Sequence, residues 1–375
     1  MRYFVIVGEP SGDLHAANLM RGILKEDPHA EFRFWGGDKM AEVGGAKNLM
    51  KHYRESSFFG IFQILLNLPT ILGQISECKR QVKEYAPDVV ILVDYAGFNL
   101  KMAKYAKSIG VKTHFYIAPK VWAWNEGRIK LIHKYVDELY VIFPFEYEYF
   151  KGKGITPHFE GNPLVDALEQ RRSSLPQREI FLSKNKLEDR PIIAILAGSR
   201  KSEIKANLLF MVEIAKAFAQ HQFVVAGVSW LDRSEYDKHL EGSDIKYVCD
   251  QTYELLNLSE AALVTSGTAT LETALMGIPE VVVFRIPAFH NFVRPYFLKI
   301  PFISLVNLSL GREAVREIVQ SSMDPEDAID ALSQIVKGGA GREKMISDFE
   351  ELRKIIGEVG ASDRFAKRMV SLLKK

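Results

Sequence analysis

Two acidic residues follow apolar segments in the first half of the sequence, where they could act as acid or base catalysts. Asp94 comes directly after the apolar run 89–93, and Glu9 lies in the glycine-rich turn 8–13. Burial beside an apolar strand raises the pKa of a carboxylate toward the range of a general base. A carboxylate at the turn 8–13 suits sugar hydroxyls better than phosphate. We therefore predict Asp94 and Glu9 as catalytic residues.

The same positions also have structural interpretations. Ser11 or Asp13 could cap the helix that follows the first turn, and Asp94 could cap the next helix along the chain. Trp122 and Trp124 would point the same way in an extended segment, which predicts either a stacking surface or core packing.

Two turns in the second half have the residue types of anion-binding sites. A glycine, a serine and an arginine follow the apolar run 192–196, and hydroxyl-bearing residues surround a glycine after the run 261–264. Free N–H groups at a helix N-terminus and a guanidinium bind phosphate, and a carboxylate on the helix can hold ribose hydroxyls. The predicted contacts to a nucleotide-sugar donor are Gly198, Ser199, Arg200, Glu203, Ser266, Gly267, Thr268 and Glu272.

Several motifs of other enzyme classes are missing from the sequence. It contains no Asp-x-Asp, which metal-dependent sugar transferases use to hold diphosphate, and no His-x-His or His-Glu-x-x-His. A Gly-x-Ser-x-Gly elbow of serine hydrolases is absent as well. We therefore expect neither a metal ion nor another cofactor.

The elements that must position these residues alternate between strand and helix, which predicts βαβ units on parallel sheets. Predicted strands are 2–8, 31–36, 89–95, 112–117 and 138–142, then 191–196, 223–227, 262–265 and 281–284. The fold class is α/β, with two Rossmann-like domains and a cleft between them.

A change in composition separates the two halves. Residues 169–190 are charged and polar, which is typical of a linker, and the strand–helix alternation restarts after them. The predicted domains are 1–165, which binds the acceptor, and 190–340, which binds the donor. Residues 341–375 are expected to form C-terminal helices that can pack back on the first domain.

The overall charge argues against a nucleic-acid partner. The 375 residues carry 49 basic and 47 acidic side chains, a net charge of +2, whereas nucleic-acid binding relies on neutralising many phosphates. The two cysteines stand far apart, as in reduced cytoplasmic proteins.

One uncharged stretch between Glu55 and Glu77 is long enough to span a bilayer, but its pattern is amphipathic. Polar residues recur on one helical face and apolar residues on the other, which favours a helix lying at a membrane surface. The predicted lipid contacts are Phe58, Phe59, Ile61, Leu65 and Leu68. Core packing is the alternative for the same residues.

The motifs form an ordered set that resembles the lipid-A-disaccharide synthase family, inverting glycosyltransferases of the GT-B type. The set comprises Gly-Glu-Pro-Ser-Gly-Asp at 8–13, Val-Asp-Tyr-Ala-Gly-Phe-Asn at 93–99, Tyr-Ile-Ala-Pro-Lys-Val-Trp-Ala-Trp at 116–124, Phe-Pro-Phe-Glu at 143–146, Gly-Asn-Pro at 161–163, Gly-Ser-Arg at 198–200 with Glu203, Ser-Gly-Thr-Ala-Thr-Leu-Glu at 266–272, and Val306-Asn307 with Gly-Arg-Glu at 311–313. One departure is Gly97, where the family usually has a second Asp.

The resemblance implies transfer from UDP-2,3-diacylglucosamine to 2,3-diacylglucosamine 1-phosphate, giving the tetraacyl β-1,6-disaccharide 1-phosphate of lipid A biosynthesis and UDP. It makes Asp94 the general base and implies that Arg200 and Asn307 are needed for activity, with Asn307 among the donor contacts. The implied location is cytoplasmic, peripheral on the inner membrane, and a homodimer is left open.

Two other functions stay open at this stage. A UDP-sugar epimerase or hydrolase of the same fold would need no lipid-facing surface. A non-catalytic nucleotide-sugar or lipid-binding protein would not need Asp94.

Overall fold

The chain folds into two compact units, seen in a computed structural model that describes residues 1–56, 68–123, 125–285, 301–320 and 324–374. Unit 1 comprises Met1–Ala167 and Ile356–Lys375, and unit 2 comprises Leu168–Ile355.

Unit 1 is built on a parallel sheet of seven strands in the order β3-β2-β1-β4-β5-β6-β7. Its strands are β1 (Arg2–Ile6), β2 (Glu31–Gly36), β3 (Leu49–His52), β4 (Val89–Val93), β5 (Lys112–Tyr116), β6 (Glu138–Val141) and β7 (His158–Phe159). Its helices are α1 (Pro10–Glu26), α2 (Asp38–Gly44), α3 (Tyr53–Ser56), α4 (Leu68–Tyr85), α5 (Ala96–Ser108), α6 (Ile129–Tyr135), α7 (Pro144–Lys151) and α8 (Pro163–Arg172), which continues into unit 2, with 3₁₀ turns at Ala46–Asn48 and Glu126–Arg128.

Unit 2 has a parallel sheet of six strands in the order β10-β9-β8-β11-β12-β13. Its strands are β8 (Ile192–Leu196), β9 (Gln222–Gly227), β10 (Lys246–Cys249), β11 (Ser259–Thr265), β12 (Glu280–Arg285) and β13 (Arg316–Gln320). Its helices are α9 (Arg178–Asn185), α10 (Lys201–Ala215), α11 (Ser234–Leu240), α12 (Thr252–Leu258), α13 (Thr268–Leu275), α14 (Leu305–Leu310), α15 (Glu326–Ser333) and α16 (Arg342–Ile356).

Apolar side chains on both faces of the strands explain the layered arrangement. β4 and β8 are buried at every position, so each must be covered by helices on both sides. In unit 1, one face of the sheet packs against α1 and the C-terminal helix α17 (Ala361–Leu373), and the other face against α4 and α5.

The C-terminal helix α17 belongs to unit 1 although it follows the whole of unit 2. Phe365 and Met369 lie in the same apolar core as Met20 of α1. Asp166 accepts hydrogen bonds from the backbone N–H groups of Gly360 (2.6 Å) and Ser362 (2.8 Å), and so caps the start of α17.

These sheets confirm the predicted α/β class with two Rossmann-like domains. The linker prediction for residues 169–190 was wrong in part, because they contain the end of α8 and the whole of α9. Phe181 and Leu182 of α9 are buried in the core of unit 2. Within the described residues, no helix combines the length and apolar character that crossing a membrane requires.

Candidate active site

In both units, the predicted site residues lie where the strand order reverses. The chain runs from β1 outward through β2 and β3, then returns to form β4 on the other side of β1, and unit 2 repeats this with β8 to β11. Ligands of open α/β sheets bind outside the carboxyl ends of the strands at such a point. We call these ends the carboxyl edge of unit 1 and the carboxyl edge of unit 2.

The register of unit 1 brings the two predicted catalytic carboxylates together. Ile6 of β1 pairs with Leu92 of β4, so the turns after these two strands, which contain Glu9 and Asp94, begin side by side. A Cβ atom at position 8 would lie 2.4 Å from Cγ of Tyr95, so only glycine lets this ring pack against the turn. Glu9 thereby starts α1 beside the Asp94 turn.

The backbone at Asp94 is held in an unusual conformation. Asp94 and Tyr95 both have left-handed φ angles, 45° and 46°, which are costly for residues other than glycine. The Asn99 amide stabilises the turn by donating to the carbonyl oxygens of Asp94 (2.8 Å) and Val93 (3.2 Å). The Tyr95 ring stacks on Phe98 with centroids 5.4 Å apart. Strained, over-determined turns of this kind cluster at functional sites.

The surroundings of Asp94 give its carboxylate the electrostatics of a base. Burial and, after it, the negative charge of Glu9 raise the pKa of Asp94 to about 6, although the positive charge of Lys120 opposes both. A carboxylate with this pKa is mostly ionised at neutral pH and can still accept a proton in a reaction. Lys120 was missed by the sequence analysis.

Glu9 and Asp13 take different roles in the first turn. Glu9 is the N-cap residue of α1, and its carboxylate accepts a hydrogen bond from the Ser11 hydroxyl (3.0 Å). Asp13 is buried and accepts from three backbone N–H groups at the start of α2, of Gly37, Lys39 and Met40. The alternative in which Ser11 or Asp13 caps α1 was therefore wrong, since Asp13 caps α2.

Another buried carboxylate, Glu146, lies at the same edge and was not predicted. Glu146 is 1% exposed and accepts from the Trp122 indole (3.0 Å) and the N–H groups of Ile142 (3.2 Å) and Phe143 (3.3 Å). Burial raises the pKa of Glu146 to about 7. Trp122 thus packs within the protein, edge-on to Phe145 at 5.0 Å. Trp124 lies outside the described residues.

The carboxyl edge of unit 2 carries a cation instead of paired carboxylates. Leu196 of β8 pairs with Val264 of β11, so the turns that contain Gly198 and Ser266 begin side by side. In the turn after β8 the Glu203 carboxylate accepts from the Ser199 N–H (2.9 Å) and from Nη1 of the Arg200 guanidinium (2.6 Å).

Glycine is required in this turn. At position 198, with φ 110°, a Cβ atom would lie 2.5 Å from the Glu203 carboxylate. Glu203 was predicted as a donor contact, but here it binds the very groups that would bind a phosphate. The Arg200 side chain remains 60% exposed and can reach an external anion.

The second predicted turn of unit 2 presents its N–H groups outward. Gly267 and Thr268 are exposed, and Thr268 begins α13, so the first N–H groups of that helix face the carboxyl edge. The Ser266 hydroxyl is used within the protein, where it donates to the carbonyl oxygen of Ile303 (2.8 Å).

Glu272 on α13 is oriented by a neighbour that the sequence analysis missed. The Tyr253 hydroxyl donates to a carboxylate oxygen of Glu272 (2.8 Å), and the Arg171 guanidinium lies over the Tyr253 ring at 4.7 Å. Burial raises the pKa of Glu272. No spacing rule links positions 253 and 272, so only the fold brings these residues together.

Asn307 is not placed to contact a ligand. It is completely buried, its amide nitrogen donates to Val315 O (2.8 Å) and Glu317 (2.9 Å), and its oxygen accepts from the N–H groups of Ala314 and Val315. With the side-chain amide fully occupied, this geometry does not support a direct contact with the diphosphate. Any effect of Asn307 on activity must act through the shape of the segment 304–317.

The predicted lipid contacts cannot be located. Phe58, Phe59, Ile61 and Leu65 lie outside the described residues, and for Leu68 only its place at the start of α4 is described.

Comparison with known proteins decides the family. The profile of the family described as Lipid-A-disaccharide synthetase matches residues 3–364. Lipid-A-disaccharide synthase from Myxococcus xanthus is 37% identical over 99% of this chain and 97% of its own length, and that from Syntrophus aciditrophicus is 31% identical over the same shares. The chain belongs to the lipid-A-disaccharide synthase family. The family expected from the motifs is confirmed, and the protein is a glycosyltransferase enzyme.

Solved structures with this fold include enzymes of another activity. UDP-GlcNAc 2-epimerase from Neisseria meningitidis, bound to UDP-GlcNAc, superposes with a TM-score of 0.72 over 100% of both chains at 16% identity. A UGT transferase from Siraitia grosvenorii in complex with UDP has a TM-score of 0.61 at 14% identity, again over 100% of both chains. At such identities the likeness shows the fold alone, so family membership, rather than fold, separates the synthase from the epimerase alternative.

Proposed function

We propose that this lipid-A-disaccharide synthase family member transfers 2,3-diacylglucosamine from its UDP conjugate to the 6-hydroxyl of 2,3-diacylglucosamine 1-phosphate. The products are the tetraacyl β-1,6-disaccharide 1-phosphate and UDP. The observation that carries the proposal is Asp94, a carboxylate with a pKa raised to about 6 on a strained turn at the switch point of unit 1. The acceptor binds to unit 1 and the donor to unit 2.

Asp94 takes the proton from the acceptor hydroxyl as the oxygen attacks the anomeric carbon from the face opposite UDP. The C–O bond to the acceptor forms as the bond to the UDP oxygen breaks, with oxocarbenium character at the sugar. Negative charge then grows on the leaving diphosphate. The exposed Arg200 guanidinium and the N–H groups at Gly267 and Thr268 stabilise this charge.

The experiment is a product analysis with radiolabelled UDP-2,3-diacylglucosamine, run with and without the monosaccharide 1-phosphate. The proposal expects labelled disaccharide only when the acceptor is present. Labelled free sugar without the acceptor would indicate a hydrolase, and an isomerised UDP-sugar an epimerase. Unchanged substrate in both reactions would support a binding protein.

The acyl chains of both substrates call for contact with a lipid surface, which we assign to the uncharged segment between Glu55 and Glu77 on the cytoplasmic side of the inner membrane. Replacing Phe58, Phe59 and Ile61 with Ser should release the protein from anionic vesicles in a flotation assay. Each such side chain contributes about 1.5–3 kcal/mol when removed from water. A triple variant that unfolds, or that still floats, would contradict this assignment.

The charge of the leaving group is balanced in this mechanism by protein groups alone. We therefore expect activity to persist in excess EDTA, because the guanidinium and helix N-terminus supply the positive potential. A large loss that Mg²⁺ restores would contradict the metal-free mechanism.

A further inference from the structure

Trp230 is an exposed aromatic residue at the carboxyl edge of unit 2 that no part of the mechanism uses. It lies in the turn between β9 and α11, and β9 stands between β8 and β10 in the sheet. Its side chain is 64% exposed, so at least one face of the indole is open to solvent. Single exposed apolar side chains are common on protein surfaces, so it is the position and the anchoring of this ring that distinguish it.

Hydrogen bonds hold this ring and its turn in place. The indole N–H donates to the carbonyl oxygen of Ser199 (3.2 Å), in the turn that carries Arg200. On the other side, the Ser229 N–H donates to Asp250 (3.0 Å), which directly follows β10. The Val228 N–H donates to the Tyr236 hydroxyl (3.3 Å). Trp230 is therefore tied to the turns after both neighbouring strands.

The ring lies next to the turn that carries Arg200, which binds the diphosphate in the proposed function. The N–H edge of the indole is engaged by the backbone of Ser199, and the high exposure of the side chain leaves a π-face available. A flat π-face fixed next to an anion-binding turn fits a ligand that joins a phosphate to an aromatic ring, as a nucleotide does. An aromatic platform of this kind binds bases by stacking without needing hydrogen bonds to them.

We propose that Trp230 is the stacking platform for the uracil base of the donor. The assignment rests on the proposed function, in which unit 2 binds the UDP-sugar. It makes Trp230 a binding residue: its ring contributes to donor affinity, while Asp94 and Arg200 act on the reacting bonds.

The test compares the affinities of UDP and of inorganic diphosphate for wild type, Trp230→Ala and Trp230→Phe by calorimetry. Loss of one base–aromatic stack is expected to weaken UDP binding about 10-fold in Trp230→Ala. Diphosphate affinity should not change, and Trp230→Phe should keep most of the UDP affinity because it keeps a ring. Trp230 is the one tryptophan of residues 168–355, so UDP should also quench a fluorescence component that is absent from Trp230→Phe.

Two further variants make the outcomes decisive. Leu209→Ala, at a 43% exposed position on α10, controls for truncation of a surface side chain and should bind UDP normally. Arg200→Ala tests the donor site itself and should weaken both ligands. If Arg200→Ala weakens UDP binding and Trp230→Ala does not, Trp230 is not the stacking platform, and the proposed function is unaffected.

Three other results would overturn the platform. Equal weakening of UDP and diphosphate in Trp230→Ala would mean that the residue only supports the Ser199 turn. Trp230→Phe as weak as Trp230→Ala would assign the effect to the N–H bond rather than to the ring. Normal UDP binding in Arg200→Ala would remove the donor site from this edge, and the platform with it.

Discussion

The two carboxyl edges share one architecture and carry opposite chemistry. In each sheet the first strand lies beside the fourth, and both strands of this pair end in a turn that carries site residues. The turns contain Gly8 and Asp94 in unit 1, and Gly198 and Ser266 in unit 2. Unit 1 places two carboxylates there, and unit 2 places hydroxyls, N–H groups and a guanidinium. The fold thus supplies the position, and the side chains decide whether it handles a proton or an anion.

The local charges reinforce this division. In unit 1, Glu9 adds a like charge that helps to raise the pKa of the buried Asp94. In unit 2, Glu203 lies against Arg200 and holds the guanidinium in place by an opposite charge. A like-charge pair produces a base that can take a proton, whereas an opposite-charge pair produces an oriented cation. Three substitutions test this contrast, and a further comparison of two buried glutamates concerns stability.

The largest effect is expected at Asp94. Asp94→Asn should lower kcat by about 10²–10⁴-fold, because proton removal from the acceptor is lost. UDP affinity, measured by calorimetry, should stay unchanged, since the donor groups belong to unit 2. Asp88→Asn is the matched control, a carboxylate at the opposite end of the same strand β4. A near wild-type rate in Asp94→Asn would assign the base to another residue.

A smaller loss is expected at the other edge. Arg200→Ala should lower kcat by about 10²–10³-fold through lost stabilisation of the leaving diphosphate, and should also weaken UDP binding. The control is Arg316→Ala, which breaks a similarly spaced exposed pair with Glu313 (3.2 Å). Unchanged UDP affinity together with unchanged kcat would mean that the two edges do not divide the chemistry in this way.

Glu9→Gln tests whether the negative charge of Glu9 raises the pKa of Asp94. If Asp94 must be ionised, kcat/KM falls as the pH drops through its pKa of about 6. Removing the Glu9 charge lowers that pKa, so the acid limb should move to lower pH, although the larger cause, burial, remains. Glu42→Gln, on the surface of α2, should leave the profile in place. Loss of activity at every pH would instead give Glu9 a direct catalytic role.

The smallest expected effect is on stability. It is tested by substituting one buried glutamate in each unit. The Glu146 carboxylate in unit 1 has three N–H donors, whereas the carboxylate oxygens of the fully buried Glu280 in unit 2 have no hydrogen-bond partner among the described residues. Burial raises the pKa of Glu280 well above its usual value, so its contribution to stability is present below the unfolded pKa and is lost as the pH rises toward the folded pKa.

Between these two pKa values, the free energy of unfolding of Glu280→Gln should therefore rise relative to that of the wild type by about 1.4 kcal/mol per pH unit. The reason is that Gln releases no proton on unfolding. Glu146→Gln should destabilise, since its amide NH₂ would face either the Trp122 indole N–H or the backbone N–H groups of Ile142 and Phe143. Chemical unfolding at pH 5 and pH 8 measures both. If the free energies of unfolding of Glu280→Gln and the wild type differ by the same amount at both pH values, Glu280 does not release a proton on unfolding.

The sequence predicted the central strands correctly and missed the edges of the sheets. The nine predicted strands correspond to nine of those observed, and the four that were missed are the outermost strands β3, β7, β10 and β13. Central strands are covered on both faces and are apolar throughout, so they stand out in the sequence. Edge strands such as β3 and β7 are half-buried and short, and their residues follow no apolar pattern.

The candidate site also contains features that the sequence predicted and features that it did not. Motifs and spacing were sufficient to place Asp94, Glu9 and the turn at Arg200 on the ends of central strands, because a strand end is a local feature of the chain. The resemblance, rather than motif spacing, implied that Asn307 contacts the donor, and in the structure its buried amide bonds to groups between Ala314 and Glu317.

The sequence by itself determined the fold class, the family and which residue types stand at each carboxyl edge. Only the tertiary structure decided which distant groups shift their pKa values or bind to them. Examples are the charge of Lys120 near Asp94, the Tyr253 hydroxyl on Glu272, and the indole of Trp230 on Ser199. The physical reason is that a strand end is set by a few neighbouring residues. A pKa or a hydrogen bond depends instead on groups within a few ångströms in space, and these come from distant parts of the chain.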